Sequence, residues 1–164
     1  MMDEGRIQAA FEDGVFVLKL SGDVRLTLCG TLDQQARALA ELPGLSKVII
    51  DLRQVSNMDS TALGFCAKIA LAVRERLLTA PLVVVRHPDV LKMLEIMGFR
   101  DYVTIVEAPA SEPQQLDELP TVESGEEELR VRILDAHRTL MHMNEQNRVE
   151  FQPLIELLEQ QHSE

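Results

Sequence analysis

The chain opens on a loosely alternating run, Arg6-Ile7-Gln8-Ala9-Ala10-Phe11, and alternates again after Glu12-Asp13-Gly14 through Val15-Phe16-Val17-Leu18-Lys19-Leu20. Alternation with a period of two marks strands, and an Asp-Gly pair between two such runs marks a hairpin. The apolar positions then shift to helical spacing over 27–42, with Leu28, Leu32, Ala36, Leu39 and Ala40 near one face and Pro43-Gly44 as the stop. Lys47-Val48-Ile49-Ile50-Asp51-Leu52 is a compact β-branched run, the pattern of a strand covered on both faces. A helix is predicted from Ser60 to Leu77 and a second buried strand over 81–85. A helix over 88–97 opens on Pro88 and closes at Gly98, and a short strand follows over 102–106. The order β-β-α-β-α-β-α-β predicts an α/β fold with a mostly parallel sheet and one antiparallel pair at its start.

Residues 108–122 break this rhythm. They carry Pro109, Pro113 and Pro120 among Glu and Gln, a composition that reads as a linker between a domain over 1–107 and a helical extension over 123–164. Ser124-Gly125-Glu126-Glu127 has the spacing of a capping box. Leu129, Ile133, Ala136, Leu140 and Met143 then form an apolar helical stripe. Asn144 and Asn147 mark a turn, and Pro153 is expected to kink or restart the next helix, whose apolar face is Leu154, Ile155, Leu157 and Leu158. The expected form of the extension is a helical hairpin.

Composition narrows the classes. A hydrophobic fraction of 46% and a charged fraction of 26% in 164 residues fit one soluble domain with length left over. No apolar run approaches the roughly 20 residues that span a bilayer, and the acidic start lacks the regions of a signal peptide. The chain is therefore expected in the cytoplasm, without direct membrane insertion. The net charge of -11 argues against nucleic acid, which requires a basic stripe. That charge is uneven: residues 1–107 are nearly balanced, with 14 acidic and 12 basic side chains, whereas 108–164 carry 13 acidic and 4 basic. Cys29 and Cys66 lie far apart and read as two reduced thiols. His137 and His142, five apart, share no helical face, so neither a metal nor another cofactor is expected.

Information concentrates where the strand over 47–52 gives way to Asp59-Ser60-Thr61 at a helix start. Acidic and hydroxyl side chains suit that position because their oxygens accept from the unpaired first-turn N–H groups. Capping alone accounts for one such residue, yet two hydroxyls follow the aspartate. The helix over 60–72 is also apolar nearly all round, with Lys68 its only charge. Leu63, Ala67, Ala70 and Leu71 can face the sheet, while Phe65, Ile69 and Ala72 lie largely on another side. That surplus face is either a partner surface or is covered by the chain's own C-terminal helices. A nucleophilic role for Ser60 or Asp59 lacks sequence support: there is no GxSxG elbow, no Gly-rich phosphate loop, and no histidine within 25 residues of Ser60. A non-enzymatic protein is expected.

Val48-Ile49-Ile50-Asp51-Leu52 followed by Met58-Asp59-Ser60-Thr61-Ala62-Leu63-Gly64 resembles the signature of the STAS family, the bacterial anti-sigma-factor antagonists. The family's usual pattern is an apolar strand ending in Asp-Leu, then Asp-Ser-Ser/Thr-Gly-Leu-Gly. Leu91-Lys92-Met93-Leu94-Glu95-Ile96-Met97-Gly98-Phe99 resembles its third helix and exit, so the resemblance covers about 5–107 and leaves the extension outside. It implies a STAS-like, mostly parallel sheet packed with helices, and a partner switch at Ser60. The implied partners are an ATP-dependent serine kinase, often itself the anti-sigma factor, and a metal-dependent serine phosphatase. The chain is similar to a proteobacterial subset whose phosphatase is linked to a response regulator. The unphosphorylated form would bind its partner through Asp59, Ser60, Thr61, Ala62, Leu63, Phe65 and Ile69. Thr61 is the runner-up acceptor, about 100° around the helix from Ser60. A phosphate adds roughly -1.5 to -2 charges to such an interface. The family's usual glycine after the two hydroxyls is Ala62 here, which bears on kinase docking more than on the fold. The alternative function is a constitutive scaffold or subunit of a larger signalling or membrane-associated assembly. The helices after Ser124 are expected to cap the face near Phe65 and Ile69 or to mediate self-association.

Overall fold

In the computed structural model, which describes residues 4–109, 112–113 and 115–163, β1 (Arg6–Glu12) and β2 (Val15–Val24) form an antiparallel hairpin. Asp13 and Gly14 both hold left-handed backbone, with φ of 51° and 81°, the turn that matches the twist of the flanking strands. From there the chain alternates. α1 (Cys29–Glu41) leads to β3 (Lys47–Met58), α2 (Ser60–Leu77) to β4 (Leu82–Val84), and α3 (Pro88–Ile96) to β5 (Thr104–Val106). β2, β3, β4 and β5 are parallel neighbours, and each crossover between them carries a helix because parallel strands cannot be joined by a tight turn. A short β6 (Asp117–Glu118) pairs antiparallel with β1 and completes the order β5-β4-β3-β2-β1-β6.

β3 runs past the end expected at Leu52. It stays paired with β2 through two register shifts, which bring Asp23 opposite Asn57 and Val24 opposite Met58. Such irregularities re-aim a strand end. Here they deliver Asp59 and Ser60 beside the end of β2.

The period of two along β2 and β3 divides their side chains between two cores. Leu18, Leu20, Val48, Ile50 and Leu52 belong to the main core, with Leu32, Leu39, Leu63, Ala67 and Leu94 from α1, α2 and α3. Val17, Ile49 and Val84 point the other way and pack with Val106 and Leu116. Leu116 comes from the 108–122 segment. This segment also sets β6 beside β1, with Leu119 N donating to Ile7 O at 2.9 Å. The strand is thus covered on both faces, by helices on one and by the connecting segment on the other.

Arg53 pins that segment by pairing with both Asp51 and Glu112. Burial alone would push the Asp51 carboxyl up, but hydrogen bonds from the Arg53 side chain and backbone, with the charges of Arg53 and Lys19, hold it below the ordinary aspartate value of 3.8.

α4 (Glu126–Met143) and α5 (Glu145–Ser163) pack on one another, and α4 lies along α2. The capping box does not form. Gly125 is the N-cap, and the Ser124 hydroxyl instead accepts from the Arg132 guanidinium. α5 continues through Pro153 rather than restarting there. The carbonyl deprived of its donor belongs to Val149, which is 68% exposed and open to water. At the turn, Asn147 N donates to Asn144 Oδ1 at 2.7 Å, and the buried Asn147 amide donates to Met97 O and Leu140 O at 2.8 and 2.9 Å.

Two measurements test this packing. A carboxyl whose folded pKa is depressed contributes stability that is present above its unfolded value and lost as pH falls through the folded one. Acid titration of stability should therefore fall less steeply below about pH 4 in Asp51→Asn than in the wild type, and parallel curves would refute the assignment. At neutral pH that variant should lose about 1–3 kcal/mol. Asn147→Ala leaves two carbonyls without a donor and should lower the denaturation free energy by about 1–3 kcal/mol, measured in urea; an unchanged midpoint would contradict it.

Candidate functional site

Asp59 ends β3 in extended backbone, φ -85° and ψ 169°, and caps α2 as its residue type predicts. Its Oδ1 accepts from Ala62 N at 2.8 Å. Its Oδ2 accepts from Leu26 N at 2.9 Å, across the sheet edge in the turn that leads to α1. Its own N–H donates to Val24 O at 3.1 Å. One residue therefore ties the end of β2, the approach to α1 and the start of α2. Neither Ser60 nor Thr61 is needed as a cap.

Ser60, the first residue of α2, is half-buried. Its Oγ lies 2.8 Å from His137 Nε2 on α4. His137 is 2% exposed, and its Nδ1 is 2.7 Å from Ile133 O. A carbonyl can only accept, so Nδ1 carries the ring proton; in the neutral imidazole Nε2 then accepts from the Ser60 hydroxyl. The ring also meets Phe151 of α5 edge-on, with centroids 4.8 Å apart. Sequence reasoning missed this residue because 77 positions separate it from Ser60. One signal was present: His137 is a polar residue placed beside Ala136 within the apolar stripe of α4.

The other residues expected at a partner site lie inward of Ser60. Thr61 is 7% exposed, while Ala62, Leu63, Phe65 and Ile69 are fully buried. The surplus apolar face of α2 is covered by the chain's own helices. Gly64 permits the approach, since a Cβ there would stand 2.5 Å from Ala136 O and 2.6 Å from Ala136 Cβ. Lys68 pairs with Asp135 of α4, lies 3.5 Å from Asp33 Oδ1 of α1, and sits over the Phe65 ring.

The Ser60 and His137 pair has the geometry of a nucleophile and a base, but His137 is buried and Ser60 half-buried where α2 meets α4. The principal cavities among the described residues lie elsewhere; one of about 150 Å³ on the far sheet face is lined by Val17, Lys19, Asp51, Arg53 and Glu112 among others. The described residues include no group of three or more His, Cys, Asp or Glu placed to hold a metal ion. No helix among them is long and apolar enough to cross a membrane. Cys29 and Cys66 are both free and buried, and burial pushes the Cys66 thiol up to about 12.

Comparison with known proteins identifies the fold and the family. The STAS domain model matches residues 6–111. Among solved structures, the chain is similar to an anti-sigma factor antagonist from Mycobacterium paratuberculosis, at 21% identity over 64% of this chain and 87% of that one, with a TM-score of 0.55. It is also similar to the anti-sigma factor antagonist SpoIIAA in its unphosphorylated form, at 14% identity over 63% of this chain and 89% of that one, with a TM-score of 0.52. No curated protein matches the chain in sequence. The family match leaves α4 and α5 outside, yet it spans well over half of the sequence, and the chain belongs to the STAS domain family.

Proposed function

We propose that the chain is a phosphorylation-controlled protein-binding module of the anti-sigma factor antagonist type, in a bacterial partner-switching pathway, with Ser60 as its switch. The observation that carries this reading is the division of labour at the start of α2. Asp59 commits both carboxylate oxygens to backbone N–H groups, so the Ser60 hydroxyl has no duty as a cap. A helix N-terminus favours an added phosphate through its dipole and its unpaired N–H groups. Thr61, almost fully buried, is the poorer acceptor.

In this reading the unphosphorylated protein binds an anti-sigma factor or serine kinase through the outer surface at the start of α2. The kinase phosphorylates Ser60, and a serine phosphatase, response-regulator-linked in the related subset, restores it. A phosphoserine brings roughly -1.5 to -2 charges next to Asp59, which repels an acidic partner surface and adds a hydration demand to the interface. The module works in the cytoplasm and needs no cofactor. A hydrolase built on the Ser60 and His137 pair is disfavoured because the base, His137, is buried and the cavity described above is lined by neither residue.

A second reading, a constitutive scaffold, draws support from the cover that α4 places over α2 and from the engagement of Ser60 with His137. Intact mass and phosphopeptide mapping of the protein from its native cell separate the two. The switch expects phosphate on Ser60 under some growth condition, and expects Ser60→Ala to retain on purification a partner that Ser60→Asp loses. A Ser60 that never carries phosphate, with equal retention by both variants, would hand the function to the scaffold.

A further inference from the structure

Positions 60, 64 and 68 form one ridge of α2, each a helical turn from the next. Three consecutive residues of α4 meet that ridge. His137 accepts from Ser60, Ala136 seats on Gly64, and Asp135 pairs with Lys68. The three contacts use three different chemistries on the three positions, and all are made by a segment outside the family's domain.

The hairpin is also tied to α1 by Arg132, which lies 3.8 Å from Asp33 Oδ2, and is fastened at its turn and its entry. At its turn, Asn147 donates to Met97 O, Tyr102 Oη donates to Met143 O at 3.3 Å, and Asn144 lies over Gly98. At its entry, Thr31 Oγ1 donates to Pro120 O at 2.9 Å and accepts from Val122 N at 3.1 Å. Between entry and turn, Ala136, Leu140 and Met143 join the main core, against which Phe151 of α5 packs, while the polar contacts along the ridge are those of Ser60 and Lys68.

We infer that the α4–α5 hairpin is a releasable intramolecular occupant of the α2 docking ridge, latched at Ser60 and Lys68, and that a partner replaces it with a helix offering the same chemistry. That partner helix carries a small residue against Gly64, a carboxylate for Lys68, and a hydrogen-bond acceptor for Ser60. The inference rests on the reading of the start of α2 as a partner site. It also gives the covered serine a role. While Ser60 donates to His137, a kinase must wait for the hairpin to open, and the partner's apparent affinity is reduced by the fraction of molecules that are closed. Phosphorylation replaces the hydroxyl donor with a bulky, strongly hydrated group at the half-buried contact with His137, and the hairpin must move aside to make room for it. The phosphorylated form therefore holds the hairpin open.

Hydrogen exchange on the full chain tests this without kinase or partner. His137→Phe keeps the ring packing on Phe151 but offers Ser60 no acceptor, and Asp135→Lys opposes Lys68 with like charge. Both variants, and protein with phosphoserine encoded at position 60, should exchange the amides of α4 and α5 about tenfold faster than the wild type while those of β2 and β3 stay unchanged. Exchange in α4 and α5 within about twofold of the wild type in all three forms would overturn the inference, because the hairpin would then be a fixed layer of the core. Such a failure leaves phosphorylation of Ser60 in the native cell untouched, and absence of that phosphorylation leaves the exchange result standing.

Discussion

Both oxygens of the Asp59 carboxylate are committed to backbone N–H groups, one in α2 and one in the turn that leads to α1. Leaving either donor unpaired in this part-buried setting would cost about 1–3 kcal/mol, so the carboxylate is not available for other tasks. The start of α2 is fixed in space by that cross-link and by the extension of β3 beside β2. Ser60 consequently occupies a determined position with an undetermined use. Its hydroxyl points away from the cap and toward whatever packs on the outer side of α2, which here is His137.

The same logic of surplus surface explains the rest of the architecture. All the domain's crossover helices share the core with Leu18, Leu20, Val48 and Ile50, so the opposite sheet face presents Val17, Ile49 and Val84 without helical cover. The segment after β5 covers them with Leu116, secured by the pairing of β6 with β1 and by Arg53 and Glu112. The segment then passes α1 at Thr31 and delivers α4 onto α2. One connecting stretch thus closes the second sheet face and positions the hairpin. The outer face of α2 and the far face of the sheet are both covered by sequence beyond the alternating strands and helices.

The parts of this legible in sequence are those with local causes. The Asp13-Gly14 turn, the stop at Pro43-Gly44, the helix opening at Pro88 and the cap at Asp59 each follow from the backbone demands of those residues, and each has its place in the fold. What was not legible depends on contacts between distant segments. The length of β3 follows from its register with β2, and β6 is two residues that form a strand only because β1 offers an edge. The capping box at Ser124 had the right local spacing but lost its hydroxyl to Arg132, eight residues on. The partner of Ser60 was the least accessible of all. A histidine on an apolar stripe signals that something polar must face it, but nothing local says what.

Ala62 and Gly64 show how the family pattern has been reapportioned. In sequence, Ala62 stands where the pattern has glycine, and its methyl bears on any backbone that approaches. In the fold Ala62 is fully buried, and its N–H is the donor that Asp59 caps, so the added methyl contributes to the domain's own core. The close approach occurs one position beyond Leu63, at Gly64, where the backbone of α4 comes so near that even a Cβ would collide with Ala136 O. Gly98, with φ of 84°, similarly closes α3 in a left-handed turn and lies under Asn144 of the hairpin turn. Both glycines of the resembling segments therefore admit the hairpin, and Gly98 also serves the turn that closes α3. A surface that tolerates no side chain at Gly64 selects its occupant by backbone proximity as much as by charge. Any external helix that takes the place of α4 must bring a small residue to that point.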